Sequence, residues 1–459
     1  MRAKLLTSIV VATLLLSGCD AEDPSVVSYA DSVSSEGAAL PYTVLRSDLE
    51  NGAKPGETFE IRNGGYGSSA AAHPTNVNQF YAMTDRGPNA DFTGADGKGK
   101  MFPVPDYTPR IGLFQLDENG TVRLVKEILL KDRDGANITG LPNSSALGGT
   151  GEIPYDVNGE TIRDINGSIA FDDYGLDPEG LAALNDGTFW VSDEYGPHMV
   201  HYDANGKEIG RINPFADDNR TQFNLPAEFA NRRANRGMEG LAITPDQKTL
   251  VGIMQSTMYN PSSAVKTLDI TRIVTVNVDT GVIGQYLYKQ EKAANSNSEI
   301  VALSANEFLV IERDESFFAD KPSAQKHIYK IDLSTGTNLE TVAESGSLVQ
   351  DAAVGLTIGG KTLEETVLAD GNWSILASNG IVPVSKTLVV DMISENGYPH
   401  DKMESLWVID SSTLGVLNDD DFATWSTGGV LEQKYLDAAK TVIDANTLYV
   451  VKDLNLSTK

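Results

Sequence analysis

The 459-residue chain lacks the residues and motifs that mark several common enzyme classes. It has one cysteine, at position 19, so the rest of the chain can form no disulfide. It has five histidines and no His/Cys cluster of the kind that binds zinc. No Gly-x-Ser-x-Gly elbow and no Walker A sequence is present. The sequence therefore argues against an α/β-hydrolase serine site, a P-loop and a zinc centre.

Basic residues are also scarce relative to acidic ones. The chain has 36 Lys and Arg against 64 Asp and Glu, which gives a formal net charge of −28. Such a charge opposes binding to nucleic acid and to anionic lipid surfaces. Nucleic acid is therefore not an expected partner, whereas an acidic surface is compatible with divalent cations.

A long apolar run occurs only at the N-terminus. Residues 1–18 have a basic start and an apolar stretch too short for a settled transmembrane helix. They end in Leu-Ser-Gly before Cys19, which is typical of a bacterial lipobox. We expect cleavage before Cys19 and its lipidation, which would anchor a periplasm-facing protein to the inner or the outer membrane of the cell envelope. An ordinary signal peptide with a chance cysteine is the alternative.

Sustained amphipathic-helix periodicity is also missing from the rest of the chain. Residues 19–40 are polar, small and acidic, and they are expected to form a flexible tether. In residues 41–459, apolar runs of four to seven residues alternate with Gly, Asn and Asp turns. This pattern predicts an all-β domain.

One hairpin is the best defined unit of this domain. Residues 177–197 predict two short strands joined by a turn at residues 185–187, which read Asn-Asp-Gly. The start of the first strand and the end of the second lie together in a hairpin. Glu179 is therefore expected near Asp193 and Glu194.

Related segments recur along the chain. The steps from Glu179 to Glu239 and from Glu239 to Glu299 are 60 residues each, and Glu404 follows after 105. The longer interval has room for an extra blade or an insertion. A degenerate copy without the glutamate spans residues 73–88. Hairpins of a second kind lie between the copies, at residues 110–130, 199–212, 272–288 and 327–342.

Paired hairpins of the two kinds would form four-stranded blades. Blades stacked around an axis bury both faces of each sheet, which no single blade achieves alone. The repeats predict a single β-propeller with six blades as the favoured count, within a range of five to seven. The last strand, at residues 447–452, is expected to close the ring on residues 42–45.

The leading glutamates of the repeats predict a metal site. The first strand of each propeller blade lines the central channel, so these glutamates are expected to converge at one mouth. Unpaired carboxylates repel one another and a cation relieves the repulsion. Oxygen ligands favour Ca²⁺, with Mg²⁺ as the alternative ion. The alternative to a metal is that each glutamate caps a turn or pairs with a basic residue. The predicted ligands are Glu179, Glu239, Glu299, Glu404 and Asp85.

The motifs of these repeats resemble those of a known family. In matching order over residues 60–455, they are similar to the motifs of the phytase-like family, which is known as "esterase-like activity of phytase". The resemblance implies hydrolysis of phosphoric or carboxylic esters, and no catalytic residue is carried over from it. The segments that carry the resemblance are residues 132–142, 177–181, 192–197, 235–242, 310–314 and 418–422.

We therefore expect a monomeric, metal-dependent hydrolase that acts on phosphate esters rather than carboxylic esters. Its substrate would be a small-molecule ester or a metal-bridged phosphate, with Asp193 or Glu194 as general base. The alternative is a non-catalytic envelope protein that uses the propeller to bind a partner, with structural calcium. Three arginines would clamp the phosphate and one histidine lies near the rim: Arg86, Arg236, Arg313 and His198.

Overall fold

The computed structural model describes residues 27–458, so the predictions for Cys19 and the leader lie outside the described residues. Strands dominate this part of the chain, as the all-β pattern predicted. No helix in residues 27–458 has the length and hydropathy needed to cross a membrane.

The strands follow one another in chain order. The N-terminal strands are β1 (Ala38–Ala39), β2 (Thr43–Arg46) and β3 (Ile61–Asn63). The first repeat contains β4 (Ser69–Ala72), β5 (Gln79–Met83), β6 (Ala90–Gly94), β7 (Gly97–Met101), β8 (Arg110–Leu116), β9 (Val122–Leu129) and β10 (Ile153–Tyr155). The second contains β11 (Pro178–Ala183), β12 (Phe189–Asp193), β13 (Met199–Tyr202), β14 (Glu208–Asn213) and β15 (Phe223–Asn224).

Among the later repeats, the fourth carries the three α-helices of residues 27–458. The third repeat contains β16 (Met238–Ile243), β17 (Thr249–Met254), β18 (Ile270–Asn277) and β19 (Ile283–Lys289). The fourth contains β20 (Ser296–Ala302), β21 (Glu307–Arg313), β22 (Lys326–Asp332), β23 (Leu348–Asp351), β24 (Gly355–Ile358), β25 (Lys361–Thr362), α1 (Leu363–Asp370), α2 (Ser374–Ser378), β26 (Ser385–Asp391) and α3 (Met392–Asn396). The last contains β27 (Ser405–Asp410), β28 (Thr413–Leu417), β29 (Thr424–Thr427), β30 (Val430–Gln433) and β31 (Thr447–Val451).

Five four-stranded antiparallel sheets within residues 27–458 form the blades. Blades 1 to 4 have the strand orders β4-β5-β8-β9, β11-β12-β13-β14, β16-β17-β18-β19 and β20-β21-β22-β26. Blade 5 has the order β27-β28-β31-β1, and β15 adds a parallel edge strand to blade 2. The five first strands, β4, β11, β16, β20 and β27, lie side by side and close a ring. The fold is a β-propeller, and the favoured count of six blades is corrected to five.

The hydrophobic core lies between the blades. Each of the five blade interfaces holds its own cluster of buried side chains. Trp190 and Met238 meet between blades 2 and 3, and Phe80 stacks on Trp407 between blades 1 and 5 with ring centroids 4.5 Å apart. Alternating apolar residues thus bury both faces of each sheet, which explains the short apolar runs of the sequence.

The 105-residue interval contains an insertion and not a sixth blade. Strands β23 to β25 and helices α1 and α2 pack beside blade 3 around their own small core. The buried Arg272 of β18 binds Glu364 of α1, with 2.7 Å between guanidinium and carboxylate. The outer strand of blade 4 is therefore β26, which follows the insertion. The predicted hairpin over residues 327–342 is wrong in its second strand.

The ring closes through the N-terminal segment. Ala38 and Ala39 pair with Leu448 and Thr447, whereas β2, at the predicted closure site, pairs with β3. Ala30 is also buried, so the end of the predicted tether belongs to the propeller. One blade built from both chain ends joins the first repeat to the last.

The central channel has an apolar segment. A cavity of about 190 Å³ is lined by three consecutive residues from each first strand. Because all five strands contribute equally, these triplets align the blades with one another. The triplets are residues 70–72, 181–183, 241–243, 300–302 and 406–408.

Candidate active site at the channel mouth

Carboxylates of blades 2 and 3 meet where the first strands begin. In β11 the pairing register passes from Pro178 to Gly180, which leaves Glu179 as the extra residue of a β-bulge. Glu239 occupies the same position in β16, between Met238 and Gly240. A bulge turns a side chain out of the regular alternation of a strand. The side chains of both glutamates therefore depart from the regular strand alternation at the mouth of the channel.

Three buried carboxylates form the centre of the site. Asp177, Glu179 and Glu194 each offer an oxygen, and the three oxygens lie within 4.8 Å of one another. Asp177 precedes β11 and Glu194 follows β12, so the opening hairpin supplies all three. The predicted approach of Glu179 and Glu194 is confirmed by this geometry. We call these three residues, together with Glu239 and Glu404, the acidic mouth.

Glu239 and Glu404 complete the acidic mouth from blades 3 and 5. Gln255, directly after β17, donates from Nε2 to Glu194 at 2.7 Å and to Glu239 at 3.0 Å. The charges of Glu239, Asp177, Glu404 and Glu194 are the largest that act on Glu179. The structure therefore brings three of the four predicted glutamates together.

Glu299 does not occupy the position in its strand that the other three glutamates occupy; it lies one residue later. Counted back from the channel triplets, Glu179, Glu239 and Glu404 each lie two residues before their triplet, whereas Glu299 lies one residue before. The bulge of β20 falls on Ser298, between Asn297 and Glu299. Ser298 is thus the counterpart of the other glutamates, and the predicted convergence of all four is wrong.

The carboxylate of Glu299 instead lies across the channel. It accepts hydrogen bonds from the hydroxyl of Ser69 and, at 2.9 Å, from the backbone N–H of Ile300. The backbone N–H groups of Leu241 and Ala70 also donate to it. Its partners therefore come from blades 1, 3 and 4. Glu299 separates the acidic mouth from the apolar cavity.

Burial controls the protonation of the acidic mouth. Burial, with the charge of Asp177 second, raises the pKa of Glu194 to about 8. Burial also raises the pKa of Asp177, and burial followed by the charge of Glu239 raises that of Glu179 well above its ordinary value. Crowded carboxylates in a buried site must either hold protons or share a cation. The donor set consists of oxygens alone, so it fits a hard cation such as Ca²⁺ or Mg²⁺.

Asp193 and Asp85 serve the loops that carry the site. Asp193 accepts from the backbone N–H groups of Asp177 at 2.8 Å and Gly196 at 2.7 Å. Asp85 accepts from the backbone N–H of Gly87 at 2.7 Å. Burial raises their pKa values to about 7 and about 8 respectively. Both of these predicted site residues lie at the mouth, where they hold backbone turns.

Arg86 is enclosed by the site. Its guanidinium lies 3.2 Å from Asp177 and 3.4 Å from Glu152, and it also contacts Asn235 at 3.2 Å. Its Nε is buried without a hydrogen-bond partner among the described residues. Arg86 therefore balances one carboxylate of the acidic mouth and keeps one free donor.

Arg313 approaches the acidic mouth from blade 4 and Arg236 approaches it from blade 3, both opposite Arg86 of blade 1. Arg313, the last residue of β21, forms an ion pair with Glu404 and donates to Ser298 at 3.0 Å. Its Nη1 is likewise buried and unpartnered within residues 27–458. Arg236 donates to Gln255 at 2.6 Å and lies farther out, with Glu315 at 3.0 Å.

His198 lies away from the acidic mouth. It is fully buried, and its ring contacts that of Phe215 with centroids 5.8 Å apart. Burial, followed by the charges of Arg211 and Arg220, lowers its pKa well below the ordinary value. The structure therefore does not place this predicted catalytic residue with the others.

Several residues of the site were missed by the sequence analysis. Asp177 and Gln255 are two of them, and Lys402 is a third, with its ammonium 2.7 Å from Asp421 and 3.1 Å from Asp419. Asp177 lies just before β11 and Gln255 just after β17. Position at the strand ends that meet at the mouth is therefore the signal that could have found these residues.

A family model matches most of this chain. The model described as "Phytase-like: Esterase-like activity of phytase" covers residues 61–422. The chain belongs to the phytase-like family. The matched region of this phytase-like chain contains every residue of the acidic mouth and ends at Phe422, beside Asp421. The resemblance inferred from the repeats is confirmed.

A curated relative of the phytase-like chain is an "Uncharacterized secreted protein" from Arthroderma benhamiae. The two are 27% identical over 43% of this chain. The match spans 46% of the relative, so the chain covers less than half of that protein's length.

Three solved structures align with most of this chain at low sequence identity and low TM-score. A protein from Lactobacillus plantarum is 11% identical, covers 84% of this chain and 86% of its own, and has a TM-score of 0.29. The periplasmic gluconolactonase of Pseudomonas aeruginosa is 10% identical, with coverages of 88% and 89% and a TM-score of 0.28. The PQQ-bound aldose sugar dehydrogenase of Streptomyces coelicolor is 9% identical, with coverages of 90% and 98% and a TM-score of 0.29.

Proposed function

We propose that this phytase-like propeller is a cell-envelope lipoprotein that hydrolyses phosphate esters with a divalent cation, Ca²⁺, at the acidic mouth. One observation carries the proposal: three buried carboxylate oxygens from Asp177, Glu179 and Glu194 lie within 4.8 Å of one another. Buried like charges at this spacing repel, and a hard cation is the partner that relieves the repulsion. Family membership supports ester hydrolysis.

The cation would be held by the opening hairpin. Asp177, Glu179 and Glu194 supply one oxygen each, and Glu239 lies close enough to Glu194 to share Gln255. A bound Ca²⁺ would supply positive charge against the phosphoryl oxygens and would make water easier to ionise. Mg²⁺ offers the same chemistry with stricter geometry.

Two arginines beside the three carboxylates would bind an anionic substrate. Arg86 Nε and Arg313 Nη1 are buried donors without a partner in the described part of the chain. A phosphate oxygen would accept hydrogen bonds from both, since guanidinium groups match phosphate geometry. The remaining guanidinium nitrogens hold Asp177 and Glu404 in place.

Glu194 is the proposed general base. A water oxygen attacks phosphorus as the ester P–O bond breaks, and a carboxylate beside that water takes its proton. Glu194 offers one oxygen to the cation, and its other oxygen would take this proton and pass it to the departing alcohol oxygen. Asp193, the other predicted base, already accepts backbone N–H bonds with both oxygens.

Location at the envelope is supported by the chain's leader. The lipobox ending before Cys19 favours lipid anchoring, and the curated relative is called a secreted protein. Palmitate labelling of the full chain and of Cys19→Ala in a bacterial host tests the anchor. Label should enter the full chain alone, and equal labelling of both proteins would contradict it.

Hydrolysis is tested on the chain without residues 1–19. Para-nitrophenyl phosphate, bis(para-nitrophenyl) phosphate and para-nitrophenyl acetate are offered with Ca²⁺ and with EDTA. We expect a phosphate ester to be cleaved with Ca²⁺ and not with EDTA. Glu194→Gln should lower kcat by roughly 100-fold or more, as loss of a general base does.

The matched control is Glu340→Gln, an exposed glutamate that accepts from Gln285 on the outer side of blade 3. It should retain full activity. If Ca²⁺ raises the melting temperature while none of the three esters is cleaved, the hydrolase proposal is overturned and a binding propeller with structural calcium replaces it.

A further inference from the structure

The first described residues of the chain lie on the face of the propeller opposite the acidic mouth. Asn78, in the turn between β4 and β5, accepts from the backbone N–H of Tyr29 at 2.7 Å and donates to the carbonyl of Val27 at 2.8 Å. The first strands begin at the mouth, so this turn, which follows the end of β4, lies at the other end of the channel. We call that end of the propeller the rear face.

Two further contacts hold residues 27–37 on the rear face. The carboxylate of Asp31 lies 2.9 Å from the ammonium of Lys452, which follows the end of β31. The carbonyl of Ser32 packs against Gly120 in the turn between β8 and β9, where an added Cβ would lie 2.0 Å from the carbonyl oxygen. Both neighbours lie at the rear ends of their blades, so the chain joins the propeller from the rear face.

The proposed lipid anchor leaves little chain between a bilayer and the propeller. Cys19 and Val27 are eight residues apart. Even a fully extended chain of this length spans at most about 29 Å. Because an acylated cysteine is held at the surface of the bilayer, the rear face would be kept within this distance of the bilayer.

The path from Val27 around the propeller to the mouth is longer than this. From β5 it passes β8 and β9 at the outer edge of blade 1, and two strand spacings amount to about 10 Å. It then follows the height of β9, and a strand of 8 residues spans about 26 Å. The loops of the mouth extend beyond β9. A tether of eight residues is therefore too short to let the mouth lie against the bilayer that holds the anchor.

Charge does not draw the mouth toward a bilayer either. The chain has a formal net charge of −28, and the mouth itself is lined with carboxylates. Such a surface is repelled by anionic lipids. The turns of the rear face also carry aspartates, among them Asp186, Asp203 and Asp246. Neither face is attracted by anionic lipids, so the tether decides which face lies toward the bilayer.

We propose that the acidic mouth faces away from the bilayer that anchors the protein, and that its substrate is a water-soluble phosphate ester rather than a phospholipid of that bilayer. This inference rests on the proposed function, because it requires both the lipid at Cys19 and the reaction at the acidic mouth. The rear face lies toward the bilayer and separates the phosphodiester groups of the lipids from Asp177, Glu179 and Glu194.

Energy transfer from the protein to the bilayer tests the orientation. The full chain, acylated in a bacterial host, is placed in phosphatidylcholine vesicles that contain an acceptor-labelled lipid. Acylation consumes the single native thiol, so an introduced cysteine carries the donor dye. Ala204→Cys lies in the turn after β13 on the rear face, and Ala294→Cys lies before β20 on the mouth face; both alanines are exposed. We expect at least roughly twofold more transfer from Ala204→Cys, because a strand length of about 20 Å separates the two faces.

Hydrolysis by the same vesicles tests the substrate class. Bis(para-nitrophenyl) phosphate is supplied in solution with Ca²⁺, and release of choline and phosphocholine from the vesicle lipid is followed in parallel. We expect cleavage of the soluble ester and no release from the lipid. The chain without residues 1–19 is the control. It should stay in solution, show no energy transfer with either label, and cleave the soluble ester at the same rate.

The outcomes separate this inference from the proposed function. Equal transfer from the two labels, or more transfer from Ala294→Cys, would overturn the orientation, and so would cleavage of vesicle lipid at the rate of the soluble ester. A full chain that does not attach to vesicles would overturn the anchor and the orientation, whereas hydrolysis measured in solution would stand. If no soluble ester is cleaved but Ala204→Cys gives the greater transfer, the orientation stands and the hydrolase proposal fails.

Discussion

At the scale of single residues, the acidic mouth is a balance between burial and charge. Asp177, Glu179 and Glu194 are removed from water, yet among residues 27–458 only Asp177 has a close guanidinium partner. Burial is the first cause of their raised pKa values. The charge of Glu239 comes second for Glu179 and that of Asp177 comes second for Glu194, whereas Arg86 opposes the rise of the pKa of Asp177. Protons and a cation therefore compete for the same oxygens.

This competition predicts a pH-dependent stability for the metal-free protein. Asp85 and Glu194, with pKa values of about 8, and Asp193, at about 7, bind protons in the folded state that they lose on unfolding. Their contribution to stability is complete below the unfolded pKa values and is lost as the pH rises through the folded ones.

We therefore expect the melting temperature in EDTA to fall by several degrees between about pH 5.5 and about pH 8.5. Ca²⁺ should reduce this fall, because it replaces the proton of Glu194 while Asp85 and Asp193 still titrate. Differential scanning calorimetry at fixed ionic strength measures both curves. A melting temperature that rises with pH in EDTA would contradict the assigned shifts.

At the scale of elements, close contact between first strands fixes the position of the acidic mouth. A Cβ added to Gly240 would meet the backbone N of Ile300 at 2.5 Å and the backbone C of Glu299 at 2.7 Å. Neither atom belongs to a flexible side chain. Glycine at this position lets β16 approach β20 directly beneath the bulge of Glu239.

Gly240→Ala should therefore cost about 1–3 kcal/mol of unfolding free energy, as overpacking does in well-packed interiors. Gly210→Ala in the outer strand β14 is the control, because its nearest contact would be His201 Cβ at an ordinary 3.4 Å. Urea denaturation of both variants measures the difference. Equal unfolding free energies of the two variants would contradict the close contact between β16 and β20.

Some strands of the propeller could be predicted from the sequence and others could not. The opening hairpin was predictable because the turn at residues 185–187 and the flanking apolar runs are local signals. The shift of Glu299 was not predictable, since a bulge at Ser298 changes the register without changing the spacing of motifs. β26 was missed for a related reason. A long insertion separates it from its partner β22, and pairing of distant strands leaves no local trace.

At the scale of the whole molecule, the ring depends on its closure. Leu40 is 5% exposed and belongs to the cluster between blades 5 and 1, and Ala38 packs against the same cluster. Removing residues 27–40 would uncover this cluster and leave β31 as an open edge strand.

A chain that starts at residue 41 should lose about 2–5 kcal/mol relative to one that starts at residue 27, the range observed for loss of a buried leucine. Thermal unfolding of the two chains makes the comparison, and the open edge should also increase aggregation. Identical unfolding curves would show that β1 is not needed for closure.

The blade count shows what repeats alone could establish. The repeated segments that begin with a glutamate predicted the propeller and the position of its mouth. The spacing of these segments was compatible with five blades. The choice between an extra blade and an insertion depended on where residues 338–384 pack. No repeat of the glutamate motif falls there, and strands β23 to β25 form a separate three-stranded sheet outside the ring of first strands.

We propose that Asp177, Glu179 and Glu194 bind a divalent cation and that Glu299 does not. Isothermal titration of Ca²⁺ into the EDTA-treated chain without residues 1–19 tests it directly, with Glu179→Gln and Glu299→Gln alongside. We expect one site in the wild type, at least roughly tenfold weaker binding in Glu179→Gln, and unchanged affinity in Glu299→Gln. Absence of Ca²⁺ and Mg²⁺ binding by the wild type, or loss of binding in Glu299→Gln alone, would contradict a cation site formed by Asp177, Glu179 and Glu194.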